Sequence, residues 1–327
     1  MNESNKTSRR TAMLAVPALL AGLGTVRAQP AWPTRPIRWV VGYPPGGITD
    51  VMARLMAQKV GADIGQQITI ENRPGASSNI AALEVARAGG EGQAFLFAPT
   101  GVETANPWLY KSQLVPSRDL QPVCAVASSQ LYLVARPDLP GSDARALVAQ
   151  ARSTPGRMTY ASAGNATPPH LAGELFKQQA QIFVTHIPYR GAAPALQDVA
   201  SGQVDFVFDP GSALPFIRAG KVKLLGVASA RRSPFFPETP TLAEQGVKAS
   251  ELDIWYGLWA PPATPADVVG TLGNAVRKAL VDADVRQRFA TFAAEPQWLD
   301  QRGFKTLLNR ESEMLASLIK ARGIAAE

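Results

Sequence analysis

The sequence contains little of the chemistry that disulfides and metal sites require. Its 327 residues include one cysteine, Cys124, and two histidines, His170 and His186. A single cysteine excludes an internal disulfide, and the apolar residues around Cys124 indicate a buried, unreactive thiol. The cysteine and histidines also lack the spacing of metal ligands, so we expect no metal site and no cofactor.

The sequence motifs of phosphate binding and of nucleophilic catalysis are missing as well. There is no Gly-Lys-Ser/Thr loop, and Ser162 does not form a Gly-x-Ser-x-Gly elbow because Tyr160 stands at the first glycine position. An enzyme on this chain would have to use Ser162, His170 and Asp209, which share only their placement near strand ends. The pattern therefore favours binding over catalysis, and an enzyme is the disfavoured alternative.

Charged residues are sparse, at 18% of the chain, with a net charge of +7. Four basic residues and one acidic residue fall in the first 28 positions, so the rest of the chain has a net charge of +4. Its lysines and arginines are interspersed with acidic residues and form no basic stripe. This argues against nucleic acid as a partner and leaves a mild attraction for anions.

Residues 1–28 have the pattern of a cleaved export signal. Arg9 and Arg10 precede an apolar run over residues 12–26, and Val26-Arg27-Ala28 resembles a cleavage site. The run is shorter than the ~20 residues that span a bilayer. We predict cleavage near Ala28 and a periplasmic mature protein. The paired arginines favour twin-arginine export, with general secretion as the alternative.

From Ile37 onward, short β-rich runs alternate with helical patterns. Ile37–Gly42 is typical of a strand, an amphipathic helix is predicted from about Thr49, and the second half repeats this alternation, with Ser142 predicted to cap a helix. After Ile254–Trp259 the pattern is wholly helical, with no further strand. The sequence thus predicts an α/β fold built on parallel sheets.

The chain is too long for one compact core, which predicts two lobes. Residues 29–134 together with 257–327 are predicted to form a discontinuous first lobe, and residues 135–256 the second. The chain would then pass between the lobes twice, near Val134–Arg136 and near Tyr256–Leu258. Two passages form a hinge beside a central cleft.

Strand-to-helix junctions supply the candidate recognition residues. A helix N-terminus presents free N–H groups and the positive end of the helix dipole, and ligands of open α/β sheets bind beyond the carboxyl ends of the strands. Each candidate also has a structural alternative: the prolines and glycines could build a turn, Asp50 or Asp209 could cap one, His170 could start a helix, and Arg190 could be solvated. The candidates from these junctions are Tyr43, Pro44, Gly46, Gly47, Asp50, Ser162, Gly164, Asn165, Thr167, His170, Arg190 and Asp209.

Several segments together resemble one known family. They are Trp32–Arg38, Tyr43–Asp50, Glu71–Ala76, Tyr160–Gly164, Pro188–Gly191, Gly202–Asp205 and Ala260–Pro265. In this order they resemble the solute-binding receptors of tripartite tricarboxylate transporters, the Bug family. The resemblance spans nearly all of the predicted mature chain.

The resemblance implies a Venus-flytrap fold in which backbone N–H groups of two glycine-containing loops hold a ligand carboxylate. Carried over by position, the contacts fall around Tyr43, Gly46, Gly47 and Asp50 on one lobe and Ser162, Gly164 and Asn165 on the other. Ser78, Asn79 and Thr100 would flank them. The chain departs from the family at Ser77-Ser78, where two glycines are usual, and at Glu91–Ala94, where Asp-Gly-Tyr-Thr is usual.

The sequence therefore predicts a periplasmic, monomeric binding protein for a small organic carboxylate. The ligand classes left open are di- and tricarboxylates, amino acids and aromatic acids. The expected partners are membrane subunits of a transporter. The alternative is a sensing component of a cell-envelope signalling system, which would use the same binding site with another partner.

Overall fold

The computed structural model describes residues 32–112, 114–248 and 250–324. The export signal predicted for residues 1–28 lies outside them. The strands are β1 (Ile37–Val41), β2 (Ile68–Asn72), β3 (Ala94–Pro99), β4 (Gln121–Ser129), β5 (Tyr132–Ala135), β6 (Thr159–Ser162), β7 (Thr185–Pro188), β8 (Phe206–Asp209), β9 (Lys223–Val227), β10 (Ile254–Ala260) and β11 (Ala294–Leu299).

Helices separate most of these strands. They are α1 (Ile48–Ile64), α2 (Asn79–Ala86), α3 (Gly101–Thr104), α4 (Asn106–Leu109), α5 (Pro116–Asp119), α6 (Ala144–Ser153), α7 (Pro168–Ala180), α8 (Ala192–Ala200), α9 (Leu214–Arg218), α10 (Ala266–Leu280), α11 (Ala283–Ala290) and α12 (Gln301–Arg322). A short 3-10 turn over Ala76–Ser78 precedes α2. Among the described residues, no helix is long and apolar enough to cross a membrane.

The strands form two sheets, each of which belongs to one lobe. The first has the order β11-β4-β10-β3-β1-β2 and the second the order β7-β6-β8-β5-β9. The two-lobed α/β fold predicted from the sequence is therefore confirmed. The prediction of parallel sheets was wrong in part, because β10 runs antiparallel to β3 and β4, and β5 runs antiparallel to β8 and β9.

The antiparallel strands have a physical cause in the path of the chain. β5 and β10 each follow a passage from the other lobe, so each begins at the edge that faces that lobe. At this edge the parallel strands end: Tyr132 of β5 pairs with Asp209 of β8, and Tyr256 of β10 pairs with Pro99 of β3. A strand that starts where its neighbours end must run opposite to them.

The passages lie a few residues earlier than the sequence indicated. The chain leaves the first sheet after Ser129 and joins the second at Tyr132, and it rejoins the first sheet at Ile254. The lobe boundaries at 134 and 256 stay predictions. The expectation of no strand after β10 was wrong, since β11 pairs with β4 at the sheet edge.

Local sequence features explain where α1 ends and where α6 begins. The apolar face predicted for α1 is buried at Met52, Met56 and Val60, and the helix ends at Gly65, whose φ of 70° places it in the left-handed region. At α6 the capping residue is Asp143 rather than the predicted Ser142, because its carboxylate accepts the N–H of Ala146. Cys124 is buried, as expected, and burial raises the pKa of its thiol.

Candidate functional site

A cavity of about 370 Å³ lies between the two sheets. Strand-to-helix loops from both lobes form its walls, at the carboxyl ends of β1, β3, β6, β7 and β8, and β10 contributes its first residues. The lining residues are Tyr43, Pro44, Pro45, Gly46, Gly47, Ile48, Thr49, Pro99, Ala163, Thr167, Pro168, Pro169, Arg190, Gly191, Ala192, Ala193, Pro194, Pro210, Ser212, Ile254 and Tyr256. The structure thus brings together three junctions that are far apart in the sequence.

The N-terminus of α1 forms one wall. Gly47 is the capping residue, with φ −74° and ψ 164°, and its carbonyl accepts the N–H of Val51. The N–H groups of Ile48 and Thr49 belong to the first turn, which has no intrahelical acceptors to offer them. These donors and the helix dipole make this wall attractive to an anion.

Asp50 holds the loop before α1 in place. Its carboxylate accepts the N–H of Gly46 at 2.9 Å, Arg54 Nε at 3.0 Å and Asn72 Nδ2 at 2.8 Å. Burial opposes ionisation, but these hydrogen bonds and the Arg54 charge outweigh it and lower the pKa of Asp50. The carboxylate is thus committed to the protein and fixes Gly46 at a φ of 82°, where glycine is favoured.

The second-lobe loop after β6 is also held by internal hydrogen bonds. Ser162 Oγ accepts the N–H of Gly164 at 3.1 Å and lies 2.6 Å from His186 Nε2. The N–H of Ala166 donates to His170 Nδ1 at 3.0 Å, and Thr167 Oγ1 donates to the Gly164 carbonyl at 2.7 Å. The loop shape therefore depends on two histidine rings beneath it.

These two histidines are stacked, with ring centroids 4.1 Å apart and an interplanar angle of 10°. Burial is the main cause that lowers the pKa of both rings, and for His186 the neighbouring His170 contributes, so that its pKa is about 3. Tyr160 also stacks on His186, with ring centroids 4.8 Å apart. Both imidazoles are therefore neutral near pH 7, and His170 Nδ1 can act as an acceptor.

The two second-lobe helices that face the cavity differ in what their ends offer. α7 begins with Pro168 and Pro169, which have no N–H, so two first-turn donors are missing there. α8 begins at Ala192 after Gly191, whose φ is 118°, and its first two residues keep their N–H groups. Arg190 lies beside this end and is largely exposed. The positive charge on this wall is concentrated at α8.

The predicted site residues divide into two groups. Tyr43, Pro44, Gly46, Gly47, Thr167 and Arg190 line the cavity. The others do not line it and lie in the adjoining loops or at the ends of the strands and helices that carry them: Asp50, Ser78, Asn79, Thr100, Ser162, Gly164, Asn165, His170 and Asp209. The side-chain hydrogen bonds of Asp50, Ser162 and His170 stabilise those loops. Whether any of the nine residues touches ligand stays a prediction.

Asp209 and Asn79 illustrate such internal roles. The Asp209 carboxylate accepts the N–H groups of Gly211 and Ala213, both at 2.7 Å, and burial raises its pKa. Asn79 Oδ1 accepts Asn106 Nδ2 at 2.8 Å. The trio Ser162, His170 and Asp209 is not assembled, since Ser162 bonds to His186 and the other two bond to backbone N–H groups within their own loops.

Sequence reasoning missed much of the apolar wall. Ile48, Pro99, Ala193, Pro210, Ile254 and Tyr256 line the cavity without having been singled out. A usable signal existed for most of them, because they stand within two residues of a predicted strand end or helix start. Ile254 and Tyr256 lacked it, since their place depends on the antiparallel direction of β10.

The two lobes touch at the edge of the cavity. The Tyr110 hydroxyl, in the first lobe, donates to the Asn165 carbonyl in the second at 3.3 Å. Ser77 Oγ donates to the Ala166 carbonyl at 3.4 Å. Both acceptors belong to the loop after β6, which His170 and Ser162 support. This loop therefore contributes to a wall of the cavity and also contacts the first lobe.

Two α/β lobes joined by two chain passages, with a cavity between the carboxyl ends of their strands, define a solute-binding protein of the periplasmic type. Residues 52–324 match the model of the tripartite tricarboxylate transporter family receptor, TctC. The chain belongs to this family, which confirms the resemblance seen in the sequence.

Known relatives cover almost the whole chain. A protein from Pseudomonas sp. (strain P51), described as a UPF0065 protein in the tcbD-tcbE intergenic region, is 37% identical over 316 residues, 95% of this chain and 91% of that protein. The solved structure of the periplasmic binding protein BugD has a TM-score of 0.84 at 31% identity and covers 90% of this chain and 100% of its own. R. palustris Rpa4515 with adipate has a TM-score of 0.86 at 32% identity, covering 90% and 99%.

Proposed function

We propose that the protein captures a small organic carboxylate between its lobes in the periplasm and presents it to the membrane subunits of a tripartite transporter. One observation carries this proposal: the N-termini of α1 and α8 lie on opposite walls of the same cavity. An anion between them gains from both dipoles only when the lobes are close together. Binding is thereby coupled to the arrangement of the lobes, which a membrane partner can sense.

Within this proposal the first-turn N–H groups of α1 and the hydroxyl of Thr49 contact the carboxylate. Arg190 attracts the anion from the rim of the cavity. Gly46, Gly164 and Asn165 maintain the shape of the two loops. The bound adipate of the R. palustris relative supports a carboxylate as the ligand class.

The periplasmic location rests on the export signal predicted for residues 1–28 and on the similarity to BugD, a periplasmic binding protein. A monomer suffices for this function, because both walls of the cavity come from one chain. The mature protein purified from the periplasm is expected to begin near Gln29 and to elute as a monomer in size-exclusion chromatography.

A thermal-shift panel on the refolded mature chain tests capture. A ligand that binds only the folded state adds RT ln(1 + [L]/Kd), or about 2.7 kcal/mol at 100 times Kd, to the free energy of unfolding. We expect at least one organic acid to raise Tm, and its primary amide to have no effect. An acid and its amide that act equally, or a silent panel, would contradict the proposal.

The same panel run on three arginine variants separates attraction from structure. Arg190→Gln is expected to lower the affinity for the best-binding acid by about tenfold, because a charge-assisted interaction is lost. Arg190→Lys keeps the charge and is expected to lose less affinity than Arg190→Gln. Arg157→Gln, at an exposed position outside the cavity, is the matched control and should leave binding unchanged.

A further inference from the structure

The walls of the cavity are largely apolar. Seven of the lining residues are prolines, contributed by both lobes, and their rings present C–H groups. Ile48, Ala163, Ala192, Ala193 and Ile254 supply aliphatic surface between them. The prolines are Pro44, Pro45, Pro99, Pro168, Pro169, Pro194 and Pro210.

The lining residues supply positive charge at one place. Among them, Arg190 is the one charged side chain. No carboxylate of the described residues lies within salt-bridge distance of it, so its charge is free to act on a ligand. Tyr43 and Tyr256 also line the cavity, and burial raises the pKa of both, so they add no charge at neutral pH.

Backbone donors are limited in the same way. The N-terminus of α1 offers the N–H groups of its first turn, and α8 offers those of its first two residues before Pro194, whereas α7 begins with two prolines. The N–H of Gly46 is used by Asp50, and that of Gly164 by Ser162. One carboxylate held between the ends of α1 and α8 uses both sets of donors, so a second or third carboxylate would lie against C–H groups, which is costly for a charge.

We infer that the ligand is a monocarboxylate whose remaining body is an apolar aromatic ring system. This rests on the proposed function and narrows its ligand class. The carboxylate lies between the α1 end and the Arg190 side, and the ring fills the proline-lined volume. An aromatic ring fits these walls best, because its electron-rich faces attract the C–H groups of pyrrolidine rings. A cavity of about 370 Å³ accommodates one or two rings.

Isothermal titration calorimetry of the mature protein with benzoate, 2-naphthoate, cyclohexanecarboxylate, adipate and citrate tests this inference. At least one aromatic monocarboxylate is expected to bind ten or more times tighter than adipate and citrate. Adipate or citrate binding as tightly as the aromatic acids would overturn the inference while supporting the proposed function. Cyclohexanecarboxylate equal to benzoate would overturn the aromatic part. Silence from all five acids would overturn the inference, and the thermal-shift panel would then decide the proposed function separately.

A gain of charge at the wall provides a second, independent test. Pro45 lines the cavity from an exposed position, so that Pro45→Lys adds a cation without removing core packing. We expect Pro45→Lys to raise the affinity for adipate relative to the affinity for benzoate by at least fivefold. Pro45→Leu, which adds no charge, should leave this affinity ratio unchanged. An unchanged ratio in Pro45→Lys would mean that wall charge does not set selectivity, which contradicts the inference.

Discussion

The carboxylate of Asp50 accepts the backbone N–H of Gly46 from a position in the first turn of α1, at 2.9 Å. The bond closes the loop that bears Gly46 and Gly47 onto the helix it precedes. Arg54 and Asn72 also donate to this carboxylate. Asp50, which the sequence predicts to contact the ligand, thus stabilises the loop before α1, and its contact with ligand stays a prediction.

Asp50→Asn is therefore expected to weaken both the fold and the binding of the ligand. It removes the charge that Arg54 faces and leaves at most one good acceptor, which costs about 1–2 kcal/mol because Arg54 is half exposed. Urea unfolding and calorimetry would measure the two effects. Asp63→Asn is the control, since its pair with Lys278 lies on the surface. Equal losses in both variants would contradict the role of Asp50.

Gly42 tests the packing between β1 and the Ser77-Ser78 segment. A Cβ at Gly42 would lie 2.2 Å from Ser78 Oγ and 2.5 Å from Ser78 Cα, so the backbone of the segment would have to move. We expect Gly42→Ala to lower the free energy of unfolding by about 2–3 kcal/mol. Gly270→Ala is the matched control: it lies in α10 with nothing near the new methyl group, and should stabilise by about 0.5–1 kcal/mol. A Gly42→Ala variant as stable as the parent would refute this packing.

The sequence predicted the features that depend on neighbouring residues. The apolar spacing of Met52, Met56 and Val60 fixes the buried face of α1, and the glycines before it mark the loop at its start. The three strand-to-helix junctions could also be located, because a hydrophobic run followed by Gly, Pro and Ser ends a strand wherever it occurs. Their convergence on one cavity follows from the α/β fold.

Features decided by distant pairing could not be predicted in this way. β11 contains Pro296 and polar residues, and only its pairing with β4 makes it a strand. The reversed direction of β10, which brings Ile254 and Tyr256 to the cavity, depends on where the chain re-enters the lobe. The bond of His186 to Ser162 likewise depends on the pairing of β6 and β7.

The stacked histidines predict a loss of stability in acid. Both are neutral in the folded state, whereas in the unfolded chain they titrate near pH 6.5. Between that pH and the folded pKa of His186, about 3, the unfolded state binds more protons, so the free energy of unfolding falls as the pH falls. The slope is at most about 1.4 kcal/mol per pH unit for each histidine.

Urea unfolding at pH 7.5, 6.5, 5.5 and 4.8 would measure this effect, above the range in which most carboxylates titrate. His186→Gln keeps a group that can bond to Ser162 and cannot be protonated, so its curve should be flatter than that of the parent. Glu174 and Lys177 lie near the rings with opposite effects on His186, and neither is altered. Parallel curves for parent and variant would exclude His186 as the cause.

The contact between Tyr110 and Asn165 predicts a kinetic effect on ligand release. It joins the lobes beside the cavity through a single neutral hydrogen bond of 3.3 Å, and such a bond contributes about 0.5–1.5 kcal/mol. If release requires the lobes to separate, Tyr110→Phe should speed dissociation by roughly 2–10-fold and change the association rate little. Stopped-flow fluorescence with the acid that gives the largest thermal shift would measure both rates.

Tyr132→Phe, which removes a hydroxyl bonded to Ser233 within the second lobe, is the control and should leave dissociation unchanged. Equal dissociation rates in Tyr110→Phe and the parent would mean that this contact does not hold the lobes together during release.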